Sequence, residues 1–471
     1  MIPMTLSEIA DVVGGAVVHD TGTTLIGPAS MDSRLAQRSG LFVAVEGERV
    51  DGHDYATAAV DAGAAAVLSS RDTGCPGVVV ADPVAALALL ARHVLARLDR
   101  VRVVALTGSQ GKTSTKDLLA QVLAAAGRTV ATEGSFNNEL GMPLTVLRAD
   151  TATEYLVLEM GARHVGDLRV SCAVAPPDVA VVLNVGKAHL GEFGSQANIA
   201  LAKGEVVEAL PADGVAVLNA DDPLVAAMAS RTRARVTTFG SGQDADVRVG
   251  HVELDGLGRP SFDLTADGTT VRVAMGLVGE HHATNAAAAA AAALALGLPL
   301  DLVGSTLGRA VAGSRGRMEV RERADGVVVV DDAYNANPDS VRAALKALAA
   351  MGRGRPGSRT VAVLGEMREL GESAMAEHDA VGRLAVRLDI QQLVVVGEAA
   401  RPIHLGACLE GSWGEESVFV EDAAAATRWL AEHVGPGDVV LFKASNAVQL
   451  SRVAQALLET GSGDAPSGSG R

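Results

Sequence analysis

The chain has 471 residues, 48% of them hydrophobic and 3% aromatic. That is too long for one ordinary core and points to about three domains, packed mainly by Ala, Val, Leu and Gly. With 40 Lys and Arg against 56 Asp and Glu the net charge is −16, which argues against a general nucleic-acid or anionic-membrane surface, whereas an anionic substrate needs only a few local cations and helix ends.

The opening MIPMTLSEIADVVGG has neither the basic nor the apolar stretch of a secretory signal. Residues 1–98 read as a small α/β domain. A helix is expected over 6–13, then the polar segment SMDSR at 30–34, a strand over 41–45 and the loop EGERVDGHD. A helix–strand pair in YATAAVDAGAAAVLSS and the strand GVVVAD complete it. Arg34, Arg49 and His53 are candidate contacts for an anionic ligand, although such residues taken singly more often brace a loop or meet solvent. Cys75, Cys172 and Cys408 lack C-x-x-C spacing. This disfavours a disulfide framework or zinc site and suits a reducing cytoplasm.

Residues 99–313 form the expected central domain, a parallel sheet covered on both faces. Its organising stretch is VVALTGSQGKTSTKDLLAQVL, from residue 103. A buried strand runs into the turn Thr107-Gly108-Ser109-Gln110-Gly111, and Lys112, Thr113 and Ser114 open a helix. Backbone N–H groups and the helix dipole would face a phosphate, Lys112 would reach its terminal oxygens, and Thr113 could ligate Mg²⁺. Leu106 stands where the general P-loop pattern has its first glycine, so the stretch fits the shorter T-G-x-x-G-K-T-[ST] form. Further strands are expected in TVAT, YLVLEM, DVAVVLNV, VAVLN and RVTTFG. Residues 247–275 alternate like an antiparallel meander, read as a side sheet. The run 286–296 is apolar but too short to span a bilayer, so it is expected as a buried helix.

The glycine-rich segment 313–316 reads as a linker to a third, Rossmann-like α/β domain over 314–460. Its strands are expected in MEVRER, GVVVVDDA, TVAVLG, QLVVVG and DVVLFKA. No G-x-G-x-x-G fingerprint follows VVVG. The tail 461–471, GSGDAPSGSGR, has the composition of a disordered segment.

Ligands in parallel sheets bind at the carboxyl ends of strands, where Glu159 and Asn184 fall. A buried carboxylate such as Glu159 needs a cation, either a metal or an ion-pair partner. His189, beyond another strand end, suits a ligand or a satisfied loop residue equally. Lys203 would ordinarily be a solvated helix lysine. Asp331, Asp332, Asn335 and Asn337 share one strand-to-helix loop, more polar side chains than a cap requires.

TGSQGKTSTK, GSFNNELGMPLTVL, LEMGA, AKGE, the GxHxxxN pattern ending at Asn285, and DDAYNANP occur in that order. Together they resemble the Mur ligases, ATP-dependent amide-bond-forming enzymes of peptidoglycan precursor synthesis. DSR, FVAVEGERVDGHDY and LGEMRELGESAMAEH resemble the group that joins D-alanyl-D-alanine to UDP-N-acetylmuramoyl-tripeptide. The resemblance covers about residues 25–455 and implies ATP and Mg²⁺. Thr107 to Gly111 with Lys112 would hold the phosphates, Thr113 and Glu159 one Mg²⁺, and His189 with a carbamylated Lys203 a second metal. His281 and Asn285 would flank the adenine, and Arg317, Asp332 and Asn335 would complete the nucleotide site. Ser33, Arg34 and the loop through Gly47, Arg49 and His53 would meet the uridine end, and Asn137 and Asn138 the sugar-phosphate or peptide. The dipeptide would lie near Tyr334, Asn337, Lys443 and Ser445. Asn446 stands where the family usually has a basic residue. A cytoplasmic monomer with neither nucleic-acid nor membrane partner is implied; the alternatives are a Mur ligase adding a different amino acid or dipeptide, and a P-loop switch ATPase.

Overall fold

The computed structural model describes residues 1–47, 50–187, 190–355, 357–411 and 416–460. Arg49, His189 and the tail 461–471 therefore lie outside the described residues. Within them the chain forms three α/β layers around separate sheets.

The first sheet has five strands in the order Ala16–Val18, Gly77–Val79, Ala66–Ser69, Leu41–Val43 and Ala29–Ser30, parallel except at the Ala16–Val18 edge. The helix Leu6–Val13 starts at a capping box in which Thr5 and Glu8 satisfy each other's backbone N–H groups. The helix Pro83–Ala96, capped by Asp82, turns Leu87, Leu90 and Val94 into a core that continues into one face of the central sheet. A second, smaller core of Phe42, Ala59, Val67 and Cys75 belongs to the first layer alone.

The central sheet has nine strands, ordered Thr269–Ala274, Pro260–Ala266, Val247–Leu254, Arg235–Gly240, Val215–Asn219, Val179–Val182, Arg102–Thr107, Tyr155–Glu159 and Thr129–Ala131. The meander over 247–275 is present but is not a side sheet. Phe239 and Gly240 pair in parallel with Val247 and Arg248, so the meander extends the central sheet. One face carries the helices Lys112–Ala124 and His281–Ala295. Ala286 through Ala293 are fully buried; side chains this small let the helix lie close to its neighbours and lose no rotamer freedom. The other face carries Asp167–Val174 and Gln196–Glu208.

The third sheet has six strands, ordered Glu319–Glu322, Val328–Asp331, Val439–Lys443, Thr360–Leu364, Gln392–Val396 and Ser417–Val420, antiparallel only at the first pair. The edge strand Ser417–Val420 is additional to those expected. Helices Pro338–Gly354 and Ala374–Arg387 cover one face, Ala423–His433 and Leu450–Thr460 the other. No helix among the described residues is long and apolar enough to cross a membrane.

Candidate active site

The strand Arg102–Thr107 is buried beyond its first residue and delivers the turn 108–111 to the edge of a cavity of about 890 Å³. Gly111 has a φ of +78°, and a Cβ there would come within 2.7 Å of Asn285 Oδ1. Glycine is thus required by both backbone conformation and space. The helix then starts at Lys112, leaving the first-turn N–H groups of Lys112, Thr113 and Ser114 without intrahelical acceptors.

Not every amide of the turn faces the cavity. Asn184, at the end of the adjacent strand, accepts from Ser109 N at 2.9 Å and Gln110 N at 3.0 Å through Oδ1, and donates through Nδ2 to Gln110 O at 3.1 Å. Gly186 N donates to Ser109 Oγ at 2.8 Å. The expectation that the whole turn offers N–H groups to an anion is corrected. Asn184 uses two of them to fix the turn's shape, and the first-turn N–H groups of the helix remain available to an anion.

Lys112 Nζ donates to Gly108 O at 2.7 Å. Burial lowers its pKa, with Glu159 opposing and Arg317 reinforcing the shift. Glu159 ends its strand buried; Asn137 Nδ2 donates to its Oε1 at 2.7 Å, while Oε2 is buried without a hydrogen-bond partner. Lys203 is not a solvated helix lysine: it is 3% exposed and lines the cavity. Among the described residues no acceptor meets its ammonium. Burial, and secondly Lys112, pull its pKa well below that of a free lysine. A carboxylate oxygen without a donor, an amine without an acceptor and the hydroxyl of buried Thr113 line the same cavity. Oxygen donors around an uncompensated buried carboxylate suit a hard divalent cation.

The third layer closes the cavity. Arg317 lies 4.6 Å over the Tyr334 ring and donates to Thr113 Oγ at 3.4 Å. Tyr334 OH meets Ser135 Oγ, and Asn337 Nδ2 approaches Ser109 O at 3.5 Å. Arg317, Tyr334, Asn335 and Asn337 all line the cavity with the phosphate turn. His281 opens its helix, and burial lowers its pKa against the pull of Asp332. Asn285 Nδ2 and the neighbouring His282 Nδ1 are buried without partners.

Other expected contacts are engaged elsewhere. Lys443 is buried and pairs with Asp332 at 2.6 Å, also donating to Asn335 O at 3.0 Å. It lines the sheet interior and is not free to meet a carboxylate. Ser445 Oγ accepts from Arg368 N at 3.0 Å. Asn337 caps the helix Pro338–Gly354 and Asn138 Oδ1 accepts from Gly141 N at 2.9 Å, yet both residues still line the cavity. His53 is a loop brace: its Nε2 accepts from Ser70 N at 3.0 Å, so Nδ1 carries the proton donated to Asp51 at 2.5 Å. Arg34, 86% exposed, pairs with Asp32 at 2.6 Å. None of Ser33, Arg34, Gly47 and His53 lines the cavity.

Family comparisons agree with this geometry. The Mur ligase family catalytic-domain, middle-domain and glutamate-ligase-domain models match residues 29–98, 106–293 and 316–446. A Mycobacterium tuberculosis protein, UDP-N-acetylmuramoyl-tripeptide–D-alanyl-D-alanine ligase, is 49% identical over 97% of this chain and 98% of its own. The chain belongs to the Mur ligase family. Its fold superposes on the crystal structure of MurF from Acinetobacter baumannii with a TM-score of 0.84 at 31% identity, covering 97% of this chain and 99% of that one. MurF ligase from Thermotoga maritima in complex with ADP gives a TM-score of 0.77 at 32% identity, over 92% and 97% of the two chains.

Proposed function

We propose that this Mur ligase joins D-alanyl-D-alanine to UDP-N-acetylmuramoyl-tripeptide, with ATP converted to ADP and phosphate. The carrying observation is the buried pair Glu159 and Lys203 with half-buried Lys112 beside a phosphate turn, in a cavity that the third layer closes. The near-full-length similarity to relatives bearing that activity supports the substrate pair.

A carboxylate is a poor acyl donor. Its oxygen therefore attacks the γ-phosphorus, ADP leaves, and an acyl phosphate results. The dipeptide's amine then attacks the acyl carbon, the C–O bond to phosphate breaks, and inorganic phosphate departs. In the first step two anions must meet. Lys112 and the first-turn N–H groups of the phosphate helix offset that repulsion, and Arg317 brings a further cation from the third layer. Thr113 and Glu159 would hold one Mg²⁺, and His189 with Lys203 as its carbamate a second metal; such ions would screen the phosphate oxygens and stabilise charge in the transfer. Asn137 keeps Glu159 Oε2 aimed into the cavity by occupying Oε1. Asn285 and His281 take the adenine side, with Asp332 held in place by Lys443.

This reading divides the chain into a UDP-substrate domain at 1–98, an ATP domain at 99–313 and a ligase domain at 314–460. One chain encloses the whole cavity, consistent with a monomer. Three unpaired thiols and dependence on ATP fit the cytoplasm.

The test is mass spectrometry of products from a panel of UDP-muramoyl peptides, ending in diaminopimelate or lysine, with several dipeptides. A pentapeptide product and ADP release requiring both substrates are expected. ADP release indifferent to both would overturn the reading in favour of a switch-like ATPase.

A further inference from the structure

The loop that shapes the phosphate turn is gripped from outside by the third layer. Lys187 follows Gly186 and Asn184, the residues that bind Ser109 and Gln110. Its Nζ donates to Glu377 Oε1 at 2.5 Å, and its backbone N donates to Asp339 Oδ2 at 3.3 Å. Glu377 is buried and shares its second oxygen with Arg342 at 3.4 Å. Arg342 also donates to Asp339 at 3.3 Å. Asp339 sits in the first turn of the helix Pro338–Gly354, whose cap, Asn337, approaches Ser109 O. A Cβ on Gly186 would stand 2.5 Å from Asp339 Oδ2, so the close approach depends on a glycine at that point.

We propose that Lys187 is a positioning residue, a latch that fastens the third layer to the loop shaping the phosphate turn through Glu377 and Asp339. The inference rests on the ligase reading above and extends it to closure. With the latch engaged, Arg317 and Asn337 lie over the turn; with it released, they leave together, because both belong to the third layer. Lys187 does not line the cavity. Its effect is on how often the cavity is complete, so it acts on turnover more than on nucleotide affinity.

The experiment compares Lys187→Ala, Lys187→Arg, Glu377→Gln and the double variant Lys187→Ala/Glu377→Gln. Readouts are kcat, the KM for ATP, and small-angle scattering with an ATP analogue plus both substrates. Each single loss is expected to lower kcat by about threefold to fivefold, because Lys187 is 44% exposed and solvent screens the pair. The KM for ATP should change less, and scattering should show a more open ensemble. The double variant should be no worse than the singles, and Lys187→Arg should keep most activity. Gly186→Ala provides a second route, since its methyl collides with Asp339 only in the closed arrangement. It should lower kcat and open the scattering ensemble, as Lys187→Ala does. Multiplying effects in the double variant, or Lys187→Ala with unchanged kcat and scattering, would overturn the latch while wild-type ligation still stands. A wild-type protein that forms no amide product would instead overturn the ligase reading itself.

Discussion

The two ends of the substrate path treat their polar side chains in opposite ways. Around the phosphate turn, buried groups lack partners among the described residues: Glu159 Oε2, Asn285 Nδ2 and the amine of the 3% exposed Lys203. Around the expected uridine and dipeptide ends, comparable groups have them. His53 is held by Asp51 and Ser70, Lys443 by Asp332, and Ser445 by Arg368 N. An unpaired buried polar atom costs free energy, so several of them beside one phosphate turn suit a ligand that satisfies them. A satisfied one marks architecture. Residue type alone does not separate these cases; partners do.

The largest expected effect tests the first region. Lys112→Ala should leave the fold intact and reduce kcat by about 10²–10³-fold or more, the scale of one preorganised charge at a transferring phosphoryl group. Near-normal turnover by the folded variant would refute the assignment of the turn.

Lys203 sharpens the comparison next, because it is buried in the cavity and meets no acceptor among the described residues. Only its neutral amine can add CO₂, and the product is an anionic oxygen ligand. Lys203→Arg keeps the charge but cannot form a carbamate, so it should be as inactive as Lys203→Ala. Acetate should partly rescue the alanine variant and not the arginine one. The pH dependence has a definite sign. Burial and Lys112 lower the pKa, so the neutral amine persists to a lower pH than in a free lysine. As the pH falls through that lowered value, the amine is protonated and activity in bicarbonate-poor buffer should fall. Added bicarbonate should restore activity above that value and fail below it. Arginine at 203 with most of the activity retained would return Lys203 to a purely structural role.

The second region should respond in stability instead. Lys443→Met leaves Asp332 as an uncompensated buried carboxylate and should destabilise the protein by about 3–5 kcal/mol. His53→Ala strips Ser70 N–H and Asp51 of a shared partner and should cost about 1–3 kcal/mol. Chemical denaturation measures both. A selective rise in the KM of the dipeptide or the UDP substrate, with stability unchanged, would show that these residues bind ligand after all.

What was legible in the sequence follows the same physical division. The phosphate turn is contiguous, so its strand, glycines, lysine and helix start can be read together, and Glu159 and Asn285 fall in local motifs. Asn184 was visible at a strand end, but its grip on Ser109 and Gln110 joins segments some 75 residues apart. Lys187 and Glu377 are 190 residues apart, and no local pattern pairs them. The meander's alternation announced strands but not the parallel pairing of Phe239 with Val247 that attaches them to the central sheet. Ser417–Val420 is four residues at a sheet edge, too short to carry a period. AKGE by itself reports only a helix, on which a lysine is ordinarily solvated, while the burial of Lys203 depends on the layer packed over it.

The smallest effect concerns Asn446, which lies exposed at the start of the short helix Asn446–Val448, next to the buried Ser445. The related ligases usually carry a basic residue there, and such a side chain could pair with the dipeptide's carboxylate. Lys443 cannot substitute, since Asp332 holds it inside the sheet. Asn446→Arg would therefore supply a cation that the described acceptor side lacks at this position. Because the position is exposed, solvent screens the new pair and its contribution should be at most about 1 kcal/mol. The dipeptide's KM should accordingly fall by about fivefold or less, while the KM for ATP stays put. The direction of that split carries the argument. Were ATP's KM to move and the dipeptide's not, the acceptor end would lie elsewhere in the cavity, and the exposed Asn446 would belong with His53 and Lys443 outside the ligand path.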